Sequence, residues 1–311
     1  MTAQHSDASG PRTTSTLSRY LPGFAWASFI SEVLIIATGG AVRLTGSGLG
    51  CPTWPTCTPE SLISTPELGI HGAIEFGNRT MTGLVGILAL VVLVLVWRAR
   101  HERRDLFALA LVIVLGVAAQ ALVGGITVLT ELNPLIVGFH YVASVGLVCL
   151  TAAFLVRMAT SPGPQSLAVP RYFASLVYLA TTALAVTLAF GVVTTASGPH
   201  SGDPMVERTG FDVELLQHVH AWPSYALGAL TLVLGYIAVR QRLKVAGWVF
   251  MAIGLELIQI VVGLVQARNG LPEVLVGTHM VLAALLAAVF TVLVLRLREP
   301  LATKPLEPRS L

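Results

Sequence analysis

Several histidines lie just inside apolar segments of the chain, where their imidazoles could bind a metal. His140 and His279 each lie about six residues into a hydrophobic run, and His218 and His220 open a third run. Paired imidazoles from facing helices are typical axial ligands of haem iron. Residues two apart cannot share one helix face, and His220 is the one that matches the repeat described below. We therefore expect His220 and His279 to ligate one haem and His140 to serve a second site. Hydrogen-bonded packing histidines are the structural alternative, and a zinc or copper site would need more ligands at this depth.

A polar cluster opens another apolar run and could supply acid–base chemistry. Glu75 lies one turn before Asn78 and four residues before Arg79. A carboxylate beside an oxidising haem can deliver protons, which makes Glu75 the candidate catalytic residue, and a salt bridge with Arg79 is the structural alternative. An amide is a poor iron ligand, so we expect the site at Asn78 to be five-coordinate through His140 or to be completed by His71. An open iron position suits oxygen chemistry, whereas ligation by two histidines suits electron transfer.

Four further charged residues have alternative roles. Arg43 and Arg79 are cations on the outer side, which could pair with haem propionates or lie at the lipid headgroups. Glu32 and Glu256 are acids in the middle of apolar segments, where ionisable groups are costly and usually functional. For Glu256, a hydrogen bond with Gln259 is the simple interpretation and a proton route is the alternative, while the role of Glu32 stays open.

The composition indicates a protein that crosses a membrane many times. Hydrophobic residues make up 54% of the 311 residues and charged residues 11%, against about 25% charged residues in soluble domains. The net charge of +3 comes from sparse charges, which argues against a basic face for nucleic acid. A transmembrane helix takes about 20 apolar residues, and continuous runs without alternation favour helices over strands. We therefore predict an all-α fold with eight transmembrane helices, at about 22–42, 79–97, 107–129, 134–156, 172–196, 217–239, 245–267 and 273–297.

The distribution of Lys and Arg predicts the orientation of these helices. With the N-terminus inside, the 19 Lys and Arg divide into 15 on the inner side and 4 on the outer side, so both termini should be cytoplasmic. We expect disordered cytoplasmic tails at 1–21 and 299–311, and no removable signal peptide. A bacterial plasma membrane is favoured over the mitochondrial inner membrane. The outer segment around His200 should be a solvated, flexible lid.

An internal repeat divides the chain into two halves. Four residues recur 139 positions later: Gln120, Gly124, Gly138 and His140 correspond to Gln259, Gly263, Gly277 and His279. The second and sixth helices also align, and there Asn78 corresponds to His220. We therefore predict two pseudosymmetric four-helix bundles, at 22–157 and 172–298. The first outer loop would span 43–78 and a cytoplasmic linker 158–171. Ligand sites in such bundles are built from facing side chains in the interior.

Two of the three cysteines lie close together in the first outer loop. Cys51 and Cys57 enclose a segment with two prolines, on the side of the membrane that is oxidising. A disulfide that closes this short loop is the favoured interpretation, and two free thiols are the alternative. Cys149 lies in an apolar run and is expected to be a packing residue.

The segment Gly39–Cys57, GGAVRLTGSGLGCPTWPTC, resembles the first loop of the haem A synthase family (CtaA/Cox15). Ile74–Arg79 and the segments around His140, His220 and His279 are similar to the same family, so the resemblance covers about 22–297. It implies an eight-helix membrane enzyme that oxidises the C8 methyl group of haem O to a formyl group by successive hydroxylations. The product would be haem A for cytochrome oxidase.

The resemblance also implies roles for individual residues. Haem b would lie between His220 and His279, and haem O would bind in the N-terminal half as the substrate. Glu75 matches the catalytic glutamate of the family, and Cys51 and Cys57 match its pair of loop cysteines.

The sequence departs from the family at Asn78, where many members have a histidine ligand. This leaves His140 as the ligand of the substrate haem, with His71 as the candidate substitute.

The expected partners are the lipid bilayer, haem O and an unidentified electron donor, and nucleic acid is not expected. Haem O synthase and a second copy of the chain are further candidates. Two other functions are compatible with the residues. One is a di-haem membrane cytochrome that passes electrons without converting a substrate, and the other is a proton-coupled transporter without a cofactor.

Overall fold

The computed structural model describes residues 17–203, 205–206 and 208–301, and eight long helices make up most of this part of the chain. All eight are long and apolar enough to cross a membrane, which confirms the predicted all-α fold. Backbone N–H and C=O groups find no water in lipid, so a chain this apolar satisfies them within helices. The helices are α1 (Leu21–Leu44), α2 (Gly69–Trp97), α3 (Arg104–Leu129), α4 (Pro134–Met158), α5 (Arg171–Ser197), α6 (Val213–Arg240), α7 (Ala246–Arg268) and α8 (Glu273–Arg296).

The predicted tails fall largely outside the described residues. Residues 1–16 and 302–311 are not described, and they include Arg12, Lys304 and Arg309, which contributed to the predicted orientation. The disorder of the tails and the cytoplasmic location of both termini therefore stay predictions.

Two helices begin at least four residues earlier than predicted, and both starts carry polar residues. Helix α2 begins at Gly69, ten residues early, after a single 3-10 turn at Pro66–Leu68, so the first outer loop is shorter than the predicted 43–78. Helix α6 begins at Val213, where the Asp212 side chain accepts two backbone N–H groups and caps the helix. Hydropathy misses these turns because they carry polar and charged side chains, His71 and Glu75 in α2 and Glu214 in α6.

A small two-stranded sheet joins the linker to the end of α8. Strand β1 (Gln165–Leu167) pairs antiparallel with β2 (Arg298–Pro300). The predicted linker at 158–171 therefore contains a strand, and the predicted disordered tail from 299 begins with paired residues. Strands of three residues are too short to show an alternating pattern. Their pairing depends on where α4 and α8 end and where α5 begins.

Helices α1, α4 and α8 contact one another where the two halves meet. One cluster of buried apolar side chains lies within α1–α4, and a larger one extends from α5–α8 onto α1 and α4. The Tyr141 hydroxyl of α4 donates to the carbonyl oxygen of Met280 in α8 at 3.0 Å. This bond joins the two halves beside two of the predicted histidine ligands. The predicted pseudosymmetry of the two bundles stays a prediction.

Candidate functional site

The loop between α1 and α2 is closed by a disulfide and held by an arginine of α2. Cys51 and Cys57 are bonded to each other and are fully buried, which confirms the predicted disulfide. Arg79 donates to the backbone carbonyl oxygens of Cys51, Thr53 and Thr56 at 3.0–3.1 Å. A guanidinium carries five N–H donors in a fixed plane, which suits it to gather several carbonyl groups. The loop is therefore fastened onto the first turns of α2.

Glu75 is fixed against this loop by both of its oxygens. Its Oε2 accepts from the Cys51 N–H at 2.7 Å, and its Oε1 accepts from Nη2 of Arg79 at 2.6 Å. Only 4% of the residue is exposed. A buried carboxylate is tolerated when it is paired and hydrogen-bonded, and Glu75 meets both conditions. The salt bridge between Glu75 and Arg79, which the spacing offered as an alternative, is present.

Glu75 also lines a cavity in the N-terminal half. The cavity has a volume of about 270 Å³, close to the lower end of the range of small-molecule sites, about 300–1,000 Å³. Residues of α1–α4 and of the three loops that follow α1, α3 and α5 line it. Among the predicted site residues, the cavity brings together Glu75, Asn78, His140, Arg43 and Arg79.

His71 is not among the residues that line the cavity. Its Nδ1 is 2.9 Å from the Ser47 hydroxyl oxygen, in the loop that covers α2. Because α2 is already helical at His71, the ring lies two turns nearer the outer end than Asn78. The structure therefore does not bring His71 to His140. Asn78 does line the cavity, and its Oδ1 accepts from the Thr38 hydroxyl at 2.7 Å.

His140 is oriented by Gln120 of α3. The Gln120 Nε2 donates to the His140 carbonyl oxygen at 2.7 Å, and its Oε1 is 3.2 Å from His140 Nδ1. Gly124, one turn further along α3, faces the ring: a Cβ there would be in ordinary van der Waals contact with it, 3.5 Å from Cε1 and 3.7 Å from Nε2. With Nδ1 bonded to the glutamine, Nε2 is the nitrogen left for a ligand.

His220 and His279 face each other in the C-terminal half, with ring centres 6.4 Å apart. The His220 Nδ1 donates to the carbonyl oxygen of Thr187 at 2.9 Å. A Cβ on Gly191 would lie only 2.9 Å from His220 Cε1, so α5 needs a glycine at this point. His218 is exposed, which agrees with the choice of His220 as the partner of His279.

The spacing of these two imidazoles fits an iron between them. Two metal–nitrogen bonds of about 2 Å, with each ring centre roughly 1.2 Å behind its nitrogen, would separate the ring centres by roughly 6 Å. The observed separation is 6.4 Å. His279 Nδ1 is buried and has no hydrogen-bond partner within the described part of the chain. The separation of the two rings therefore suits a pair of ligands on either side of one iron.

A segment of the C-terminal half covers the cavity of the N-terminal half. Ser201 and Gly202, in the loop between α5 and α6, are among the residues that line it. The Gly48 N–H donates to the Gly202 carbonyl oxygen at 2.9 Å, which ties this loop to the loop after α1. The sequence pattern did not predict this contact, because the two loops are about 150 residues apart and belong to different halves.

The contacts of His200 show why this loop keeps its position. Its Nε2 donates to the carbonyl oxygen of Leu271 at 2.8 Å, and its own carbonyl oxygen accepts from Nε of Arg43 at 2.8 Å. Arg43 also donates to the Thr195 carbonyl oxygen at 2.9 Å. The prediction that His200 is solvated is therefore wrong, because the ring bridges to the start of α8. Arg43 joins α1 to the other half rather than lying at the headgroups.

Sequence reasoning also missed the two residues between the cysteines that contact the cavity. Trp54 and Pro55 both line it, and the Trp54 ring packs so closely on α3 that a Cβ on Gly125 would lie 2.4 Å from it. The Trp–Pro pair inside a disulfide loop was the available signal, since a large aromatic side chain in a short closed loop has to pack against a neighbouring element.

The two acids within the helices have different surroundings. Glu256 accepts from the Thr231 hydroxyl at 2.6 Å, so the predicted hydrogen bond between Glu256 and Gln259 is wrong. The Gln259 Nε2 instead donates to the His279 carbonyl oxygen at 3.2 Å. Glu32 is 2% exposed, and its Oε1 has no hydrogen-bond partner among the residues that the structure describes.

Comparison with known proteins finds one matching family and several related chains. A family model described as COX15-CtaA, cytochrome oxidase assembly protein, matches residues 23–294. A protein of Lysinibacillus sphaericus named heme A synthase is 37% identical over 145 residues, which is 45% of each chain. Proteins of the same name from Geobacillus kaustophilus and Halalkalibacterium halodurans are each 28% identical, over 46% and 50% of this chain and 44% and 52% of their own. The chain thus matches about half the length of these curated relatives.

Proposed function

The chain belongs to the COX15-CtaA family of cytochrome oxidase assembly proteins, and on that premise we propose that it is a haem A synthase. The reaction is the oxidation of the C8 methyl group of haem O to a formyl group by successive hydroxylations. The observation that carries the proposal is the pairing of two unlike histidine sites. One cavity combines His140 with the carboxylate of Glu75, and a separate pair, His220 and His279, has the spacing of two axial ligands.

His220 and His279 are the proposed axial ligands of a resident haem b. A bound haem b supplies one-electron transfer. The protein contributes the orientation of the rings: the Thr187 carbonyl oxygen holds Nδ1 of His220, and Gly191 lets the ring lie against α5.

The cavity in the N-terminal half is the proposed site of haem O, with His140 as its ligand. Gln120 keeps the proton of the ring on Nδ1 and leaves Nε2 free. Asn78 offers an amide to the same cavity, and its link to Thr38 of α1 makes it a hydrogen-bonding wall of the cavity rather than an iron ligand.

Glu75 is the proposed acid–base residue of the hydroxylations. Each hydroxylation of the methyl carbon with O2 and two electrons takes up two protons and releases one water, and the carboxylate can take up and pass on these protons at Oε1 or Oε2. The Cys51 N–H and Arg79 hold these atoms in place at the cavity wall. The covering loop at Ser201 and Gly202 limits the access of water to the carboxylate.

The two arginines divide the roles that the sequence left open. Arg79 directs its donors to Glu75 and to the loop carbonyls, so we assign it the positioning of the catalytic carboxylate. Arg43 lines the cavity beside the covering loop and is the better candidate partner for a propionate of haem O.

The proposed setting is a bacterial plasma membrane with both termini in the cytoplasm. Haem O would arrive from a haem O synthase, and electrons from a separate donor. Association with a second copy is compatible with this setting.

Expression in membranes that accumulate haem O tests the proposal. The wild-type chain should produce haem A and a hydroxymethyl intermediate, both identified by the mass of the extracted porphyrins. Glu75→Gln should reduce this product at least tenfold while the haem b spectrum stays unchanged, since it removes only the proton-transfer group. Glu67→Gln is the matched control, because this carboxylate lies eight residues earlier and is exposed.

Two results would refute the proposal. One is a wild-type chain that binds haem but leaves haem O unaltered, as a di-haem cytochrome would. The other is a Glu75→Gln variant whose product yield equals that of Glu67→Gln.

A further inference from the structure

Two glutamines each donate a hydrogen bond to the backbone carbonyl of a histidine that lies twenty residues further along the chain. The Gln120 Nε2 donates to the His140 carbonyl oxygen at 2.7 Å, and the Gln259 Nε2 donates to the His279 carbonyl oxygen at 3.2 Å. One helix of each half thus carries the amide, and the next helix carries the imidazole. The amide also has an oxygen, and the two halves differ in what this oxygen does.

In the N-terminal half the amide oxygen reaches the ring, since Gln120 Oε1 is 3.2 Å from His140 Nδ1. In the C-terminal half the corresponding atoms are Gln259 Oε1 and His279 Nδ1. Both are buried, and neither has a hydrogen-bond partner among the described residues. One is an acceptor and the other can be a donor. Burying both unpaired is costly, so the C-terminal half contains a complementary pair of atoms that are not bonded to each other.

The glycines next to the rings show that the two imidazoles are rotated differently. A Cβ on Gly124 would contact the Cε1–Nε2 edge of His140, at 3.5 and 3.7 Å. A Cβ on Gly263 would contact the Cε1–Nδ1 edge of His279, at 3.4 and 3.8 Å. Nδ1 thus faces Gln120 in His140, whereas in His279 Nδ1 faces Gly263. Rotation of the His279 ring is therefore what separates Nδ1 from the amide oxygen.

We propose that Gln120 and Gln259 are positioning residues that fix the proton of His140 and His279 on Nδ1, so that each ring offers Nε2 to a haem iron. A neutral imidazole carries one proton, and the hydrogen bond made by one nitrogen decides which nitrogen can bind metal. In the C-terminal half the ring turns until Nδ1 donates to Gln259 Oε1, as it already does in the first half.

His220 supports this assignment from the other side of the same site. Its Nδ1 donates to the Thr187 carbonyl oxygen at 2.9 Å, which leaves Nε2 for a ligand. His140 and His220, two of the three proposed iron ligands, thus have an oxygen acceptor on Nδ1. For His279, the third, Gln259 Oε1 is the proposed acceptor. The proposal rests on the haem-binding function proposed above, and it adds residues that do not touch the iron.

The test compares Gln259→Leu with Gln266→Leu in the purified full chain with its bound haem b. Gln266 is a matched control, because it lies on the same helix and its Oε1 is also buried without a partner in the described part of the chain. A hydrogen bond on Nδ1 makes the imidazole a stronger electron donor and stabilises ferric iron, so its loss should raise the midpoint potential of haem b. Loss of such a bond typically weakens metal retention about 10- to 100-fold, and we expect haem b to dissociate faster by this factor. Gln266→Leu should change neither quantity.

Two further variants separate ring orientation from simple packing. Gln259→Glu keeps an oxygen acceptor for Nδ1 whether or not it is ionised, so its potential should stay at or below the wild-type value, on the opposite side from Gln259→Leu. Gln120→Leu should weaken the retention of haem O and leave the potential of haem b unchanged.

Equal potentials and equal haem loss in Gln259→Leu and Gln266→Leu would overturn the role of Gln259 while leaving the haem A synthase proposal intact. A wild-type chain that takes up no haem would overturn both. A potential of Gln259→Glu that is raised as far as that of Gln259→Leu would show that Gln259 acts only as a packing residue, which also contradicts the proposal.

Discussion

Replacement of Gly191 by alanine should weaken the retention of haem b more than the same change at any other glycine of α5–α8. The new Cβ would lie 2.9 Å from His220 Cε1, whereas carbon atoms in contact prefer at least 3.5 Å, so the ring must retreat by about 0.6 Å. The acceptor of its Nδ1 proton is Thr187, one turn away on the same helix, and retreat would lengthen that bond from 2.9 Å to about 3.5 Å, beyond hydrogen-bonding range.

The cost of this displacement falls on the haem-bound state, because a free imidazole can move aside and a ligated one cannot. Loss of the hydrogen bond costs about 1 kcal/mol, and overpacking costs about 1–3 kcal/mol. The sum of about 2–4 kcal/mol corresponds to a roughly 30- to 1000-fold weaker retention of haem b, at 1.4 kcal/mol for each factor of ten.

Transfer of haem b from the detergent-solubilised protein to a haem-scavenging globin measures this effect. Gly263→Ala is a graded comparison, because its Cβ would lie 3.4 Å from His279 and should cost less than tenfold. Gly247→Ala has no atom within 4 Å of the new Cβ and serves as the control. The reasoning is refuted if Gly191→Ala releases haem b as slowly as Gly247→Ala does.

Two other variants test the contacts that hold the site together. Arg79→Met removes the ion pair with Glu75 and the bonds to the Cys51 loop. Product formation should therefore fall at least tenfold with an unchanged haem b spectrum. Wild-type activity in this variant would contradict the positioning role of the arginine. Tyr141→Phe removes the hydrogen bond from α4 to the Met280 carbonyl oxygen. Its loss should destabilise the protein by about 0.5–1.5 kcal/mol and lower its Tm in detergent. An unchanged Tm would show that the bond contributes nothing to the contact between the halves.

The contact between the halves matters for the proposed reaction. The covering loop of the C-terminal half reaches the cavity of the N-terminal half through Gly202 and His200. Tyr141 and Met280 directly follow His140 and His279, so a bond between the halves lies beside both proposed ligands. The two histidine sites are therefore joined by a hydrogen bond between residues that neighbour them in sequence.

The helices could be predicted from the sequence because lipid imposes a single strong condition on them. A continuous apolar run has to satisfy its own backbone, so α3, α4 and α8 lie within about three residues of their predicted bounds. The same condition fails at the start of α2, because those turns carry His71, Glu75 and Arg79 and lie outside the apolar layer. Counting residues along helices of known rise predicted that Glu75, Asn78 and His140 lie near the same end of the helix bundle.

The amino-acid sequence alone predicted the eight helices, the pairing of Cys51 with Cys57 and which histidines to consider as ligands. Composition, spacing along the chain and the internal repeat can all be read without knowing how the helices pack. Only the tertiary structure decided which hydrogen-bond partner each of these residues has. Arg79 binds carbonyl groups of a loop that precedes it by more than twenty residues, and Arg43 binds a loop more than 150 residues away. Backbone oxygens carry no residue type that a pattern could reveal, so contacts to them arise only once the helices are packed.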